Sequence, residues 1–311
     1  MAREPTLVSV AAPMHDEEGT VAAFHARVTA VLRDVPFELV IVDDGSRDGT
    51  AAKLEELAFT DRRVKVVTLS RNFGHQAALT AALEHATGDV VVMLDGDLQD
   101  PPEVIPEMLD RWRDGADVVY AVRSERRGET AFKRTTASWF YRLFRGLADI
   151  DLTPESGDFR LMDRRPLDAL LAMPERNRFL RGMSVWVGFT QTAVTFEREA
   201  RTAGRTKYSL RRMLRFSFDA ITSFSHRPLQ FATLLGFAFS ALAFLAIPLT
   251  VVARYTNIYD RGVPSAIVII LLLGGIQLIC VGIIGEYVGR IYDEVKRRPL
   301  YVVRDKANLD Q

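Results

Sequence analysis

Two stretches near the C-terminus, Pro228–Ala253 and Gly262–Gly285, contain no Asp, Glu, Lys or Arg. Each is longer than the ~20 residues that a helix needs to cross the hydrocarbon core of a bilayer. Before Arg227, by contrast, charged and apolar stretches alternate. The pattern predicts a domain of soluble type followed by two transmembrane helices. The alternative, a pair of uncharged core helices in a soluble protein, is disfavoured by the length of both runs.

The charges that flank the two apolar stretches predict their orientation. Eight Lys or Arg residues lie between Arg198 and Arg227, whereas the loop from Arg254 to Arg261 holds two arginines and one aspartate. Cytoplasmic loops of membrane proteins are enriched in Lys and Arg. We therefore expect a multi-pass protein of the plasma (bacterial inner) membrane, with the large domain and both termini in the cytoplasm.

The overall charge disfavours one class of partner. The chain has 40 basic and 40 acidic residues, so its formal net charge is zero. A general nucleic-acid binder would show a basic excess, and we expect no nucleic-acid partner. The single cysteine, Cys280, excludes an intrachain disulfide and a cysteine-based zinc site.

The first half of the chain alternates short apolar runs with longer amphipathic ones. We predict strands at Thr6–Ala12, Phe37–Val42, Val64–Leu69, Asp89–Leu94 and Asp117–Val122. Between them we predict helices at Glu18–Val35, Thr50–Leu57, Gln76–Ala86 and Pro102–Asp114. Such alternation indicates an α/β fold with a mostly parallel, Rossmann-like sheet covered on both faces.

Two acidic clusters, Asp43-Asp44-Gly45 and Asp95-Gly96-Asp97, follow predicted strands. Ligands of such sheets bind outside the carboxyl ends of the strands. Magnesium prefers one or two protein carboxylates together with substrate phosphates, so Asp95 and Asp97 suit a metal–diphosphate site to which Gln99 could add an amide oxygen. A solvated turn is the alternative, because Asp-Gly pairs are common in turns. No glycine-rich phosphate loop follows the first strand, which favours a metal as the partner of a bound diphosphate.

Several longer motifs resemble those of family 2 inverting glycosyltransferases of the GT-A fold. They are Pro13-Met14-His15-Asp16-Glu17-Glu18, Val42-Asp43-Asp44-Gly45-Ser46-x-Asp48-Gly49-Thr50, Ser70-Arg71-Asn72-Phe73-Gly74-His75, Asp95-Gly96-Asp97-Leu98-Gln99-Asp100-Pro101-Pro102, Ser156-Gly157-Asp158-Phe159-Arg160-Leu161 and Gly204-x-x-Lys207-Tyr208-Ser209. The variant is the one seen in polyprenyl-phosphate sugar synthases, similar to bactoprenol glucosyltransferases and dolichyl-phosphate mannose synthase. One departure is His15-Asp16, where the family more often has Tyr-Asn.

The resemblance implies a reaction and its partners. A nucleotide-sugar donor, first of all UDP-glucose, would give its sugar to a polyprenyl phosphate of undecaprenyl or decaprenyl type at the bilayer surface. GDP-mannose, UDP-galactose or a nucleotide-activated amino sugar would use the same scaffold. A non-catalytic membrane adaptor with a degenerate transferase domain is the alternative from another class, and it would not need Asp97, Gln99 and Asp158 together.

The resemblance also assigns candidate site residues. The nucleotide sugar would contact Pro13, Glu17, Asp43, Asp44 and Asp95, with Asp44 at the uracil edge and Asp43 shaping the turn. The metal, Mg²⁺ or Mn²⁺, would be held by Asp97 and Gln99, and the lipid phosphate would meet Arg123, Arg205 and Lys207.

Asp158 stands where the family has its catalytic base. A phosphate monoester is largely dianionic at neutral pH, because its second pKa is about 6, and it has little need of a base. We therefore expect Asp158 to position the acceptor or the sugar, and to act as a base only on the monoanionic fraction. His75 we interpret as loop structure.

We expect four regions along the chain: a cytosolic GT-A domain over 1–200, a basic amphipathic juxtamembrane segment over 201–227, two transmembrane helices over 228–289 and a cytosolic tail over 290–311. Two basic, aromatic-rich stretches, Phe132–Leu147 and Ser209–His226, could lie in the lipid interface or pack on the sheet. Gly285 and Gly289 have the four-residue spacing that lets helices approach closely in lipid. We expect a homo-oligomer; a hairpin within one chain is the alternative.

Overall fold

The computed structural model describes residues 3–123, 156–197, 227–255 and 263–309. The chain divides into two compact units. The first contains the described residues up to 197 together with 298–309, and the second contains those from 227 to 297.

The first unit is built on an eight-stranded sheet with the order β7-β5-β6-β4-β1-β2-β3-β8. Its strands are β1 (Val8–Met14), β2 (Phe37–Asp43), β3 (Val64–Leu69), β4 (Val90–Met93), β5 (Val118–Arg123), β6 (Ser156–Asp163), β7 (Gln191–Phe196) and β8 (Val303–Ala307). Strand β6 is antiparallel to β4 and β5, and β8 is antiparallel to β3. The other pairs are parallel, so the sheet is mixed but mostly parallel, a Rossmann-like GT-A arrangement.

Helices connect most of these strands. They are α1 (Val21–Val31), α2 (Thr50–Thr60), α3 (His75–His85), α4 (Ile105–Arg113, after a 3-10 turn at Pro102–Val104), α5 (Arg164–Leu171) and α6 (Leu180–Trp186). Residues of β1 alternate between the two faces of the sheet, since successive side chains of a strand point in opposite directions. Val8, Val10, Ala12 and Met14 pack in one core with α1, α2 and α4. The alternate residues of β1 face the other side, where α3 contacts the strand.

The five strands and four helices predicted from the sequence are present; β3 has the predicted bounds, and the ends of the others are shifted. Strand β1 continues through Pro13 to Met14, although we expected it to end before the proline. Its pairing with β4 ends at Ala11, so beyond that point β1 has a neighbour only on the β2 side. Proline is tolerated where one side of a strand makes no ladder hydrogen bonds.

The C-terminal residues return to the sheet. Strand β8 pairs with β3 at its edge, and Nδ2 of Asn308 donates to the carbonyl oxygens of Ala58 (2.5 Å) and Val64 (2.9 Å). The end of the region that we described as a tail, 290–311, thus supplies an edge strand of the sheet. The predicted boundary at residue 200 and the juxtamembrane residues 201–226 lie outside the described residues.

The second unit contains α7 (Arg227–Tyr255) and α8 (Val263–Lys296). In the described part of the chain, Arg227–Ala246 and Leu272–Lys296 are long and apolar enough to cross a membrane, with mean hydropathies of 1.9 and 1.7. Only 6% of the apolar stretch in the first helix and 0% of that in the second are buried, whereas the core helices of a soluble protein are mostly buried. Near the end of α8, Nε of Arg290 donates to Oε1 of Glu286 at 3.1 Å, an ion pair between residues four apart in one helix.

Candidate active site

The site lies where the parallel strands end. Strand β6 runs the opposite way, so its first residues lie at the same edge of the sheet as the last residues of β4. Met93 pairs with Arg160 in this antiparallel ladder, and two further steps along the same register lead to Asp95 and Asp158. The topology therefore brings the acidic motif after β4 together with the aspartate that resembles the family's base.

His75 lies between these two carboxylates. Its Nε2 is 3.6 Å from Oδ1 of Asp95 and 3.4 Å from Oδ2 of Asp158. Partial desolvation alone would lower the pKa of His75, but the hydrogen bond to Asp158 and the charges of Asp95 and Asp97 outweigh it and raise the pKa to about 9. The interpretation of His75 as loop structure is therefore wrong: it is the first residue of α3 and a cation of the site. Its position just after β3, at the ligand edge, was the signal in the sequence.

Asp158 is surrounded by donors. Nε2 of Gln76 donates to its Oδ2 at 3.0 Å, and a terminal nitrogen of Arg181 lies 3.4 Å from its Oδ1. Burial alone would raise the pKa of Asp158, but the hydrogen bond from His75 and the charges of Arg181 and Arg160 hold this pKa well below its usual range. Asp158 is thus an ionised carboxylate and a weak base at neutral pH.

Arg160 is a buried residue that connects the elements next to Asp158. Only 2% of it is exposed, and its guanidinium donates to the carbonyl oxygens of Gly157 (2.9 Å) and Arg181 (3.3 Å) and to the hydroxyl of Ser184. The arginine thereby joins the start of β6 to α6. Sequence reasoning assigned no role to Gln76, Arg160 or Arg181, because the contacts of Gln76 and Arg181 with Asp158 depend on how α3 and α6 pack beside β6.

Asp95 and Asp97 differ in their surroundings. Desolvation raises the pKa of Asp95 to about 6. The positive charge of His75 opposes this rise, and the negative charges of Asp158, Asp100 and Asp97 add to it. Asp97 is held by Gln99, whose backbone nitrogen donates to Oδ1 (3.0 Å) and whose Nε2 donates to Oδ2 (2.7 Å). In this arrangement the side chain of Gln99 orients Asp97 through its nitrogen.

The donor chemistry at Asp95 and Asp97 fits a hard divalent cation. Two carboxylates separated by one residue supply oxygen ligands, and Mg²⁺ takes the remainder from substrate phosphates and water. Within the described residues, no three His, Cys, Asp or Glu side chains converge as a complete metal cage.

Asp44 anchors the loop that leads into α3. Its two carboxylate oxygens accept from the backbone nitrogens of Phe73 (2.7 Å) and Gly74 (2.9 Å), and only 3% of the residue is exposed. Burial raises the pKa of Asp44 against the effect of these hydrogen bonds. Asp43 accepts from the backbone nitrogen of Ser46 at 3.0 Å, in keeping with the turn-shaping role expected of it. A contact of Asp44 with a nucleobase stays a prediction.

The turn after Asp44 requires glycine. Gly45 has φ +63°, and a Cβ placed on it would lie 2.4 Å from the backbone carbon of Arg71. The loops after β2 and β3 therefore touch through their backbones. Since the second of these loops delivers His75, the geometry at Gly45 also determines where that cation lies.

The remaining predicted donor-side residues lie at the end of β1 and in the loop after it. Pro13 is buried within the strand, and the backbone nitrogen of Glu17 donates to Oγ1 of Thr50 at 2.9 Å. Asp16, where the chain departs from the family pattern, accepts from the backbone nitrogen of Arg47 at 2.7 Å. This contact holds together the loops after β1 and β2.

Of the three predicted phosphate ligands, the structure describes Arg123. It ends β5, and one terminal nitrogen lies 3.4 Å from Oδ1 of the buried Asp100. Arg205 and Lys207 lie outside the described residues, as do Phe132–Leu147 and Ser209–His226.

Comparison with known proteins identifies the family. The model of glycosyl transferase family 2 matches residues 9–171. An uncharacterized glycosyltransferase, YkcC, from Bacillus subtilis (strain 168) is 46% identical over 97% of this chain and 94% of its own length. A prophage bactoprenol glucosyl transferase homolog from Escherichia coli (strain K12) is 40% identical over 96% of this chain and 98% of its own length.

A similar solved structure is that of glucosyl-3-phosphoglycerate synthase from Mycobacterium tuberculosis in complex with Mn²⁺, uridine diphosphate and phosphoglyceric acid. It has a TM-score of 0.47 and 20% identity, and covers 75% of this chain and 78% of that one. The family model spans just over half of the chain, and both relatives are at least 40% identical over at least 96% of it. The chain is a transferase enzyme and belongs to glycosyl transferase family 2.

Proposed function

We propose that this enzyme transfers a sugar, glucose in the first instance, from a UDP-sugar to a polyprenyl phosphate, with inversion at the anomeric carbon. One observation carries the proposal: a family 2 chain places a cluster of carboxylates and cations around Asp158 and also contains two helices of membrane-spanning length. An acceptor that is itself a lipid phosphate explains both features. The bactoprenol glucosyl transferase homolog supports the same acceptor class.

On the donor side, Asp97, helped by Gln99, would hold a divalent cation, Mg²⁺ or Mn²⁺, and Asp95 would approach the ribose and diphosphate. Such an ion, when bound, neutralises the charge that develops on a departing nucleoside diphosphate. Gln99 holds both oxygens of Asp97, which keeps that carboxylate in one orientation before the substrate arrives. The nucleotide would be received at the ends of β1 and β2 and in the loops that follow them, by Pro13, Glu17, Asp43 and Asp44.

On the acceptor side, Asp158 would position the reactants. Its lowered pKa makes it a poor proton acceptor, and a lipid phosphate that is mostly dianionic at neutral pH has no proton to lose. A carboxylate near a dianion is repulsive unless cations compensate for it. His75 and Arg181 supply two positive charges within 3.4 Å of the Asp158 oxygens, and Arg123, Arg205 and Lys207 are the further cations proposed for the acceptor phosphate.

The membrane placement follows from charge. The Lys and Arg residues concentrated between Arg198 and Arg227 support a catalytic unit on the cytoplasmic face of the plasma membrane, with both termini on that side. Nucleotide sugars would then reach the site from the cytosol, while the acceptor's phosphate lies at the bilayer surface.

A transfer assay tests the proposal. Membranes containing the enzyme would be incubated with polyprenyl phosphate and one of four radiolabelled donors: UDP-glucose, UDP-galactose, GDP-mannose or UDP-N-acetylglucosamine. Label from UDP-glucose should enter the organic extract only when enzyme and acceptor are both present. Asp158→Asn should lower the amount of product strongly but measurably, while Asp110→Asn, on the exposed side of α4, should leave it unchanged.

The outcomes separate the alternatives. Label from a different donor would show that the transferred sugar is not glucose, and the proposed acceptor, a polyprenyl phosphate, would stand. If none of the donors gave a lipid-linked product, the proposal would be contradicted and the alternative, a non-catalytic membrane adaptor, would be favoured. NMR of the product would test inversion, since a UDP-α-sugar must then give a β-linked phosphate.

A further inference from the structure

Gln76 is the second residue of α3, and its side chain joins two parts of the candidate site. Its Oε1 accepts from the backbone nitrogen of Leu180 at 3.0 Å, and its Nε2 donates to Oδ2 of Asp158 at 3.0 Å. Leu180 is the first residue of α6, the helix that also carries Arg181. One amide therefore connects the start of α3, the start of α6 and the carboxylate of β6.

The orientation of this amide follows from its partners. A backbone N–H can only donate, so the Gln76 group facing Leu180 must be the oxygen. The nitrogen then faces Asp158, which accepts because it is ionised. Both contacts have ordinary hydrogen-bond lengths, and neither group could be reversed without placing two donors or two acceptors against each other.

The other neighbours of Asp158 constrain the orientation of its carboxylate less strongly. His75 shares Oδ2 at 3.4 Å and Arg181 faces Oδ1 at 3.4 Å. These are longer contacts between charges, and charge attraction depends weakly on angle. Among the contacts that described residues make with the Asp158 carboxylate, the hydrogen bond from Gln76 is the shortest, so it has the strongest influence on the rotation of that group.

We propose that Gln76 is a positioning residue for sugar transfer, which sets the rotation of the Asp158 carboxylate and ties it to α6. The inference rests on the proposed function in assigning Asp158 to the acceptor side. A displacement of about 1 Å in a reacting group can reduce a rate by about a hundredfold. The amide acts through Asp158 and touches neither substrate in this role.

Two substitutions separate positioning from mere support of α6. Gln76→Glu keeps an oxygen for the Leu180 nitrogen but turns the donor that faces Asp158 into a second carboxylate. Gln76→Met has a similar length and removes both bonds. If Gln76 only supported α6, Gln76→Glu would behave as wild type. We expect instead that kcat falls about 10- to 100-fold in Gln76→Glu, with the KM for the nucleotide sugar within about twofold of wild type, and that Gln76→Met also loses kcat.

A control and a double variant complete the test. Gln191 donates to the carbonyl oxygen of Ser184 at 2.7 Å, so Gln191→Glu breaks an amide contact with the same helix without facing Asp158. Its kcat should stay within about twofold of wild type. In the Asp158→Asn background, Gln76→Glu should cause no further loss, since residues that act as a unit are not additive.

Thermal unfolding provides a readout that needs no acceptor. Gln76→Glu should lower the Tm because two carboxylates meet, and the added Asp158→Asn should restore it, because an asparagine amide can donate to Glu. A wild-type kcat in Gln76→Glu, or a Tm that Asp158→Asn fails to restore, would overturn the inference. If wild type itself made no lipid-linked product, the proposed function would fail, while the Tm cycle would still decide whether Gln76 and Asp158 are coupled.

Discussion

Glu38 offers a quantitative test of what stabilises the sheet. It lies on β2, is 4% exposed, and accepts from Oγ of Ser9 (2.6 Å), from the backbone nitrogen and hydroxyl of Thr87 (2.6 and 2.9 Å) and from Nζ of Lys65 (2.5 Å). These donors come from β1, from β3 and from the segment before β4. Burial would raise the pKa of Glu38, but the four contacts outweigh it and lower that pKa.

Glu38→Gln would leave one acceptor oxygen for four donors and would remove the anion opposite Lys65. Removing one partner of a buried ion pair costs about 3–5 kcal/mol. The Lys65 side chain is 21% exposed, so water recovers part of this, and we take about 3 kcal/mol. At about 2–4 °C per kcal/mol for a unit of this size, the Tm should fall by about 6–12 °C at pH 7.

The effect should depend on pH with a definite sign. A carboxylate whose pKa is lower in the folded state stabilises the protein above its unfolded pKa, about 4.3 for glutamate, and this stabilisation is lost as the pH falls through the folded value. The difference in Tm between wild type and Glu38→Gln should therefore be complete at pH 7 and should shrink below about pH 4.

The measurement is thermal unfolding of the purified protein in detergent, followed by fluorescence that includes the buried Trp112. Glu55→Gln is the matched control: it makes the same change of charge on the exposed side of α2 and should shift the Tm by less than about 2 °C. A Glu38→Gln protein that melts within 2 °C of wild type at pH 7 would refute the assignment of net stability to this buried carboxylate.

Three further predictions concern the site and the membrane helices. Asp97→Asn is nearly isosteric and should lower transfer at least about a hundredfold, and EDTA should abolish wild-type activity until Mg²⁺ or Mn²⁺ is added; full activity in EDTA would contradict the metal. Lys207→Ala should raise the KM for polyprenyl phosphate about tenfold with little change in kcat, because it removes binding common to ground and transition states; an effect on the donor KM alone would place Lys207 elsewhere. Gly285→Leu combined with Gly289→Leu should reduce the oligomer mass measured in mild detergent, and a wild-type monomer in several detergents would rule out self-association.

The parts of the fold that were predictable are those in which neighbouring residues carry the signal. Every residue of β1 and β2 is buried, and such mostly apolar runs, interrupted in β2 by Glu38, indicate parallel strands when helices lie between them. Strand β6 gives no such signal, because its sequence, Ser-Gly-Asp-Phe-Arg-Leu-Met-Asp, places Arg160 and Asp163 in buried positions. Charges are buried there only because tertiary partners satisfy them, and those partners are distant in the sequence.

The same distinction explains the candidate site. Asp95 and Asp97 were predictable as a pair, since one motif after one strand contains both. That Asp95 lies near Asp158 depends on the antiparallel register of β4 with β6, and that His75 lies between them depends on where α3 begins. The compensation of these carboxylates by His75 and Arg181 is therefore a property of the strand register. A change that slipped β6 by one residue would turn Asp158 to the opposite face of the sheet, and would separate Asp158 from Asp95 and from its cations without altering any residue of either motif.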